Sequence, residues 1–311
     1  MSNLNNFNRI IDSLEVKFYR ISHRKVINPV ELRGSIDQKN IFLHVEKGDF
    51  FFQKNHVKIE EGGYYFAPSG QEIYFQHGQG PSLVSLDRGG FVSAEQREKY
   101  LLPVAGNYQP SKDDDVFSII GFDVLIYGAI PFFNIIELPC FILPQNEHLN
   151  LIIKKLLMEM DNDYVGKNSR MHCLCHDLVI QICRVIYDTP ELKKNLNKLD
   201  FLLDRRLVNM IQYIQDNLDK DLSNKSVASL AYVSKDYVGQ FFKTLTGQNL
   251  QEYIENQRLE RAYHLLKTTN DNVQEIAHLV GFKDPAYFSR RFKIKFGEKA
   301  NQVRQRNNTV V

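Results

Sequence analysis

The spacing of hydrophobic positions changes character along the chain, and each change predicts a different kind of element. In residues 1–20, Ile10, Ile11, Leu14 and Phe18 recur at helical spacing, which predicts a short amphipathic helix. From about residue 25 to 143 the pattern becomes short runs rich in Phe, Val, Ile and Tyr, separated by Gly, Pro, Asn and Asp. The runs Ile41–Val45, Phe50–Gln53, Val57–Ile59, Tyr64–Ala67, Ile73–Gln76 and Leu83–Leu86 predict closely spaced strands of a barrel or sandwich. Lys54-Asn55-His56 reads as a hairpin turn between two of them. After Pro144 the period becomes helical. Leu149, Ile152, Ile153, Leu156 and Leu157 form one stripe ending near Met160; Leu174, Leu178, Ile182 and Ile186 form another on a helix from about Ser169 to Tyr187. Asp161 to Asn168, with Gly166, is a polar turn between the two helices. Pro190 to Leu199, rich in Lys and Asn, reads as a linker, and everything from Asp204 onward reads as helix.

These segments imply a multidomain α and β chain. A β-barrel spans 1–145, a helical pair 146–190, a linker 191–204, and an all-α domain 205–311. A chain of 311 residues, 43% hydrophobic and 24% charged, is long enough for two cores and excludes global disorder. The net charge of +2 hides a segregation. From Arg205 onward there are 17 basic and 11 acidic residues, a net of +6, and the remainder nets −4. A basic C-terminal third suggests a polyanionic partner for that part. Four cysteines do not make a disulfide framework. No signal peptide is read at the N-terminus, and the longest uncharged apolar piece, Val124 to Ile136, is too short to span a bilayer. The expectation is a cytoplasmic protein with no membrane association, no catalysis and no cofactor.

Two segments of the C-terminal third resemble each other. One runs from Val227-Ala228 to Phe242-Lys243, the other from Ile276-Ala277 to Phe292-Lys293. Each opens with a β-branched residue and Ala, passes a small turn, and enters a helix ending in Phe-Lys. Ser234 and Asp284 stand where a side chain can accept the free N–H groups of that helix. Val238 and Phe242, like Phe288 and Phe292, lie four apart and face a core. This is a helix-turn-helix written twice.

With Arg258-Leu259-Glu260-Arg261-Ala262, Leu265-Leu266, Gly281-Phe282, Tyr287-Phe288-Ser289-Arg290-Arg291-Phe292-Lys293 and Phe296-Gly297, residues 205–306 resemble the DNA-binding domain of AraC-type transcription regulators. The resemblance implies double-stranded promoter DNA as partner. It also implies two recognition helices, joined by a long helix from about Leu250 to Lys267, entering successive major grooves about 34 Å apart. The second helix would present Pro285, Ala286, Ser289, Arg290 and Lys293. Arg290 is the candidate for a bidentate contact to guanine, and Arg291 and Lys293 are candidates for phosphates. In the first unit the base-reading positions fall on Asp236, Gly239 and Gln240, flanked by Lys235 and Lys243. Tyr232 stands where the family often has a turn glycine, Asn224 where an apolar residue is usual, and Ala300 and Val303 where Pro and an aromatic are usual.

The front half is less explicit. Gly63 to Ile73, with Pro68-Ser69-Gly70, resembles the second motif of cupin barrels, and the order barrel-then-helices over roughly 25–190 resembles the cupin-like sensory half of many such regulators. Ile73 stands where that motif carries a metal-binding His, so no metal is expected. A small-molecule effector of unknown chemistry would sit among aromatics such as Phe50, Phe52, Tyr65 and Tyr74. The helical pair is the candidate for homodimer formation, and a contact with RNA polymerase follows from the regulator reading. The alternative is control by a protein partner, or by redox or metal chemistry at His172-Cys173-Leu174-Cys175-His176. On a helix, however, Cys173 and Cys175 point about 200° apart. Asp113-Asp114-Asp115 reads as a solvated loop.

Overall fold

A computed structural model describes residues 4–52, 56–77, 82–87, 94–128, 130–230 and 232–308. The chain divides into two compact units, Met1–Ile126 with Pro131–Lys198, and Tyr127–Ile130 with Leu199–Val311.

The first unit opens with helix α1 (Leu4–Ile11), followed by strands β1 (Leu14–Val26), β2 (Val30–Ile36), β3 (Asn40–Lys47), β4 (Phe50–Phe52), β5 (Val57–Ile59), β6 (Tyr64–Ala67), β7 (Glu72–His77) and β8 (Val84–Asp87). Helix α2 (Ala94–Glu98) leads to β9 (Leu101–Pro103), β10 (Asp115–Ile126), β11 (Ile130–Pro131), α3 (Phe132–Ile135) and β12 (Phe141–Leu143). Helices α4 (Glu147–Asp161), α5 (Lys167–Asp188) and α6 (Pro190–Lys193) and a 3-10 helix (Lys194–Leu203) complete the series. The expected strands are present within a residue or two of their sequence bounds; Gln53, the end of one expected strand, and Lys54 and Asn55 of the expected hairpin turn lie outside the described residues. Among the described residues the strands form two separate sheets rather than the expected closed barrel. One has the order β12-β6-β3-β10-β1-β9 with β11 as its seventh member, the other β5-β4-β7-β2-β8.

Strand alternation gives the larger sheet two working faces. The row Ser22–Ile119–Leu43–Tyr65, with Arg24–Phe117–Val45 and Arg20–Gly121–Ile41–Ala67 beside it, looks toward the second sheet. There Leu43, Val45, Tyr65 and Phe117 form one core with Phe50, Phe52 and Phe75. The intervening rows, Ile21–Ile120–Phe42–Phe66 and His23–Ser118–His44–Tyr64, look the other way. On that side Phe66 meets Phe133 edge-on, with centroids 4.7 Å apart, and the Tyr64 hydroxyl donates to Asn150 Oδ1 of α4 at 2.6 Å. The stripes of α4 and α5 read from sequence are buried in this second core.

Three further expectations fail for identifiable reasons. The helix expected over residues 1–20 stops at Ile11, and Leu14 and Phe18 belong to β1. A segment as rich in β-branched and aromatic residues as Val16–Ile21 fits both periods, and pairing with β10 over its whole length decides it. The expected linker is helical because Leu192, Leu196 and Leu199 are buried, an apolar spacing hidden by the Lys and Asn around it. Its Asn195 donates to the carbonyl of Ile136 at 2.9 Å. Of the triple aspartate only Asp113 is exposed in a turn, as expected of a solvated loop. Asp114 is buried, ion-paired with Lys25 at 2.5 Å and accepting from Tyr108 at 2.6 Å, and Asp115 Oδ2 lies 2.6 Å from His77 Nε2. The Lys25 ammonium, with the Tyr108 hydroxyl, holds Asp114 far below the usual carboxylate range.

His44 stacks on Tyr64 at 5.2 Å, its Nδ1 is buried without a hydrogen-bond partner among the described residues, and burial pulls its pKa from 6.5 to about 4. Glu46 opposes that shift, and His23 and Lys154 add to it. A histidine held neutral in the fold contributes stability above its unfolded pKa and loses it as pH falls toward the folded one. The first unit should therefore lose up to about 3 kcal/mol between pH 6.5 and 4 through this group. Denaturant titrations at those two pH values should show a smaller difference in His44→Phe than in the native chain.

Candidate nucleic-acid interface

The second unit is built from α7 (Arg205–Asp216), α8 (Asn224–Ala228), α9 (Val238–Thr246), α10 (Leu250–Thr268), α11 (Val273–Leu279), α12 (Pro285–Phe296) and α13 (Ala300–Asn308). The internal repeat is repeated in its backbone. Val233 N donates to Ala228 O at 3.3 Å, and Phe282 N to Ala277 O at 2.9 Å, the same five-residue step. Helices α9 and α12 end alike, Gly247 N bonding Lys243 O and Gly297 N bonding Lys293 O. Val238, Phe242, Phe288 and Phe292 are all fully buried, as their four-residue spacing requires. Helix α10 buries Leu250, Tyr253 and Ile254 in its first half and Leu259, Ala262 and Leu266 in its second. The latter three share a core with Ile276, Val280, Phe288 and Phe292. Ala300 and Val303 are buried in the same core, so the smaller side chains still pack α13. Asn224 carries a hydrogen bond instead of a packing contact, accepting from Gln251 Nε2 at 3.0 Å.

The polar faces left over are the sequence candidates. On α12, Asp284 caps the helix by accepting from Ala286 N at 2.8 Å, and Pro285 occupies the first turn. Ala286, Ser289, Arg290 and Lys293 are exposed and Pro285 is half-buried. The Arg290 guanidinium lies 5.9 Å from the ring of Tyr287. Arg291, a phosphate candidate, is engaged elsewhere: its Nε donates to Glu255 Oε1 at 2.5 Å. In the first helix-turn-helix Lys235, Asp236, Gln240 and Lys243 are exposed, and Gly239 is half-buried. Helix α9 starts at Val238 rather than at Lys235. The Ser234 carbonyl accepts from both Tyr237 N and Val238 N, and its hydroxyl from Tyr237 N at 3.2 Å, so Lys235 and Asp236 sit in a turn before the helix. Ala231 lies outside the described residues.

Sequence reasoning missed the residues that hold these faces in place. Glu255 of α10 takes both Arg291 and the Tyr287 hydroxyl, the latter at 2.5 Å, and this carboxylate pushes the Tyr287 pKa up. Arg258, noted only as part of a motif, donates from Nε to Leu218 O and from Nη2 to Lys220 O, both at 2.8 Å. Arg304 Nη1 donates to Leu266 O at 2.9 Å. Long-range pairs of this kind leave no periodic trace in a sequence.

The cysteine segment does not converge. Cys173 is exposed, whereas Cys175 and Cys183 are buried and burial pushes each thiol up to about 12. No group of three or more His, Cys, Asp or Glu among the described residues is placed to hold a metal ion. Of the aromatics considered for an effector, Phe52 and Tyr65 line a cavity, Phe50 is packed in the surrounding core, and the Tyr74 hydroxyl donates to Glu72. Among the described residues no helix is long and apolar enough to cross a membrane.

Comparison with known proteins defines the class of this second unit. The family model for the helix-turn-helix domain matches residues 227–306. The HTH-type transcriptional activator RhaS of Enterobacter sp. (strain 638) is 27% identical over 154 residues, 49% of this chain and 53% of that protein. The match thus spans about half the length of that relative. The uncharacterized HTH-type transcriptional regulator YisR of Bacillus subtilis (strain 168) is 24% identical over 274 residues, 84% of this chain and 85% of that protein. Among solved structures, the DNA-binding domain of AdpA in complex with a target DNA is 24% identical with a TM-score of 0.32, covering 33% of this chain and 94% of that chain. Residues 227–306 match the helix-turn-helix domain, and the chain is similar to HTH-type transcription regulators.

The two turns offer a paired test. Gly281 has φ +90°, and a Cβ there would lie 2.4 Å from Leu218 O and 2.9 Å from the Arg258 guanidinium. Tyr232, at the matching place in the first unit, has φ +51° with its side chain 92% exposed. A non-glycine residue in that region carries strain of about 1–2 kcal/mol. Tyr232→Gly should therefore be neutral or stabilising by about 1 kcal/mol, whereas Gly281→Ala should cost about 2 kcal/mol or more. Chemical denaturation followed by a probe in the second unit separates the two.

Proposed function

We propose that the chain is a sequence-specific DNA-binding transcription regulator that reads a bipartite promoter site. One observation carries the proposal: two helix-turn-helix units share α10, and each leaves an exposed polar face around its second helix. Those faces are Lys235, Asp236, Gln240 and Lys243 in the first, and Ala286, Ser289, Arg290 and Lys293 in the second. The net charge of +6 from Arg205 onward supplies the long-range attraction to DNA. Arg290 is the base-reading candidate, backed by Tyr287, and Lys293 contacts phosphate. Arg291, through Glu255, positions α12 in addition to any phosphate it meets. Asp236 repels phosphate and Gly239 lacks a side chain, so the first unit positions more than it specifies.

The N-terminal unit is the effector-sensing part, its two facing sheets taken as a cupin-like sandwich and residues 191–204 as the join to the DNA-binding domain. Homodimer formation falls to the outer faces of α4 and α5, because the inner stripes are already buried; Leu151 and Met158 of α4 are half exposed. A contact with RNA polymerase and a cytoplasmic location complete the reading. The cysteine-based alternative has no support in the geometry, since Cys175 is enclosed as a thiol and Cys173 is exposed on another face.

Fragments selected from a genomic DNA pool at physiological salt test the proposal. The native chain should enrich a site with half-elements about one helical turn apart. Arg290→Ala should lose preference at a guanine within one element by about tenfold or more, with the other element unaffected. Strongly salt-dependent binding with no enriched sequence would make the domain a phosphate binder only.

A further inference from the structure

Between the two sheets of the first unit lies a cavity of about 290 Å³. It is at the small end of ligand pockets, which run to roughly 300–1,000 Å³. Its walls are apolar, with Leu32, Leu43, Phe52, Phe75, Phe117 and Ile119 contributing from both sheets. Three charged side chains also line it. Arg20 and Asp37 are ion-paired with each other and cancel. Arg97, from α2, is half-buried, and its Nε is buried with no hydrogen-bond partner among the described residues. Arg24 stands in the same row as the cavity residue Phe117, so it faces the same side of the sheet, and its Nη1 is likewise buried and unpartnered. Burial lowers the Arg24 pKa and Arg97 lowers it further, with Glu98 opposing from the same helix as Arg97. Two neighbouring guanidinium groups with unused, desolvated donors are costly unless an acceptor arrives to fill them.

We propose that this cavity binds a small organic monoanion, a carboxylate carried on an aromatic or short aliphatic body, with Arg97 as the residue that reads the carboxylate. The inference rests on reading this unit as the effector-sensing part of the protein and names the ligand class of that site. A guanidinium fork matches a carboxylate in two parallel hydrogen bonds. The buried Tyr65 hydroxyl, beside the Cys140 thiol, and Ser35 add further polar groups to the wall. A phosphate dianion fits poorly, because its remaining oxygens would face Leu and Phe side chains. A sugar fits poorly for the same reason: its hydroxyls need many polar partners, and most of this wall has none to offer.

Calorimetric titration of the full chain with hexanoate, octanoate, benzoate and 1-naphthoate, beside octanol and benzamide as uncharged counterparts, tests this. At least one carboxylate should bind, about tenfold or more tighter than its uncharged counterpart. Arg97→Met should weaken that carboxylate by about tenfold or more and leave the uncharged compound unchanged. Because the substitution removes a half-buried guanidinium whose Nε has no partner among the described residues, its melting temperature should be no lower than native. Ile73→Trp, which fills the cavity from the second sheet, should abolish binding of both. Equal binding of carboxylate and uncharged counterpart, or an Arg97→Met variant with native affinity, overturns the ligand class. No binding of any carboxylate overturns the site. Sequence-selective DNA binding without carboxylate binding sinks this inference alone. Carboxylate binding without sequence-selective DNA binding sinks the regulator reading instead.

Discussion

The carboxylate of Glu255 and the guanidinium of Arg258, three residues apart on α10, act on α12 and on the turn that precedes it. Glu255 takes Tyr287 and Arg291 on α12. Arg258 takes the carbonyls of Leu218 and Lys220, and its guanidinium passes within van der Waals reach of Gly281. A helix that reads base edges must hold its side chains to within a fraction of an ångström, and hydrophobic packing alone is not directional. The buried row Phe288–Phe292 fixes how deep α12 sits, and the Glu255 carboxylate fixes its rotation. The exposed face carrying Ala286, Ser289, Arg290 and Lys293 follows from both.

Much of the second unit was legible in the sequence because its signals are local. The Phe spacing, the capping Asp284 and the turn at Gly281 act over a few residues, and a duplicated motif shows each signal twice. The helix start at Val238 was not legible, because Ser234 supports either a direct cap or a preceding turn. Glu255 was not legible either, since its partners lie 32 and 36 residues away.

The first unit was legible where strands are short and punctuated, as from β3 to β7, and illegible where they are long. β10 is buried on both faces for much of its length, and β1 is mostly half-buried on both, so neither shows the alternation that marks a strand with one wet side. The same ambiguity hid Leu192, Leu196 and Leu199 behind lysines and asparagines. A run of like charges ordinarily faces solvent; the burial of Asp114 depends on the distant Lys25, with Tyr108 and the Ser111 N–H completing its partners.

The two faces of the larger sheet share one backbone. Leu43 and Tyr65 border the cavity, while His44 and Tyr64, their immediate chain neighbours, lie under the helices. An occupant that displaced the Tyr65 backbone would displace Tyr64 equally, and the Tyr64 hydroxyl is tethered to Asn150 on α4. The sheet therefore behaves as a stiff diaphragm: pressure on its cavity side is delivered to the helix side without any intermediary.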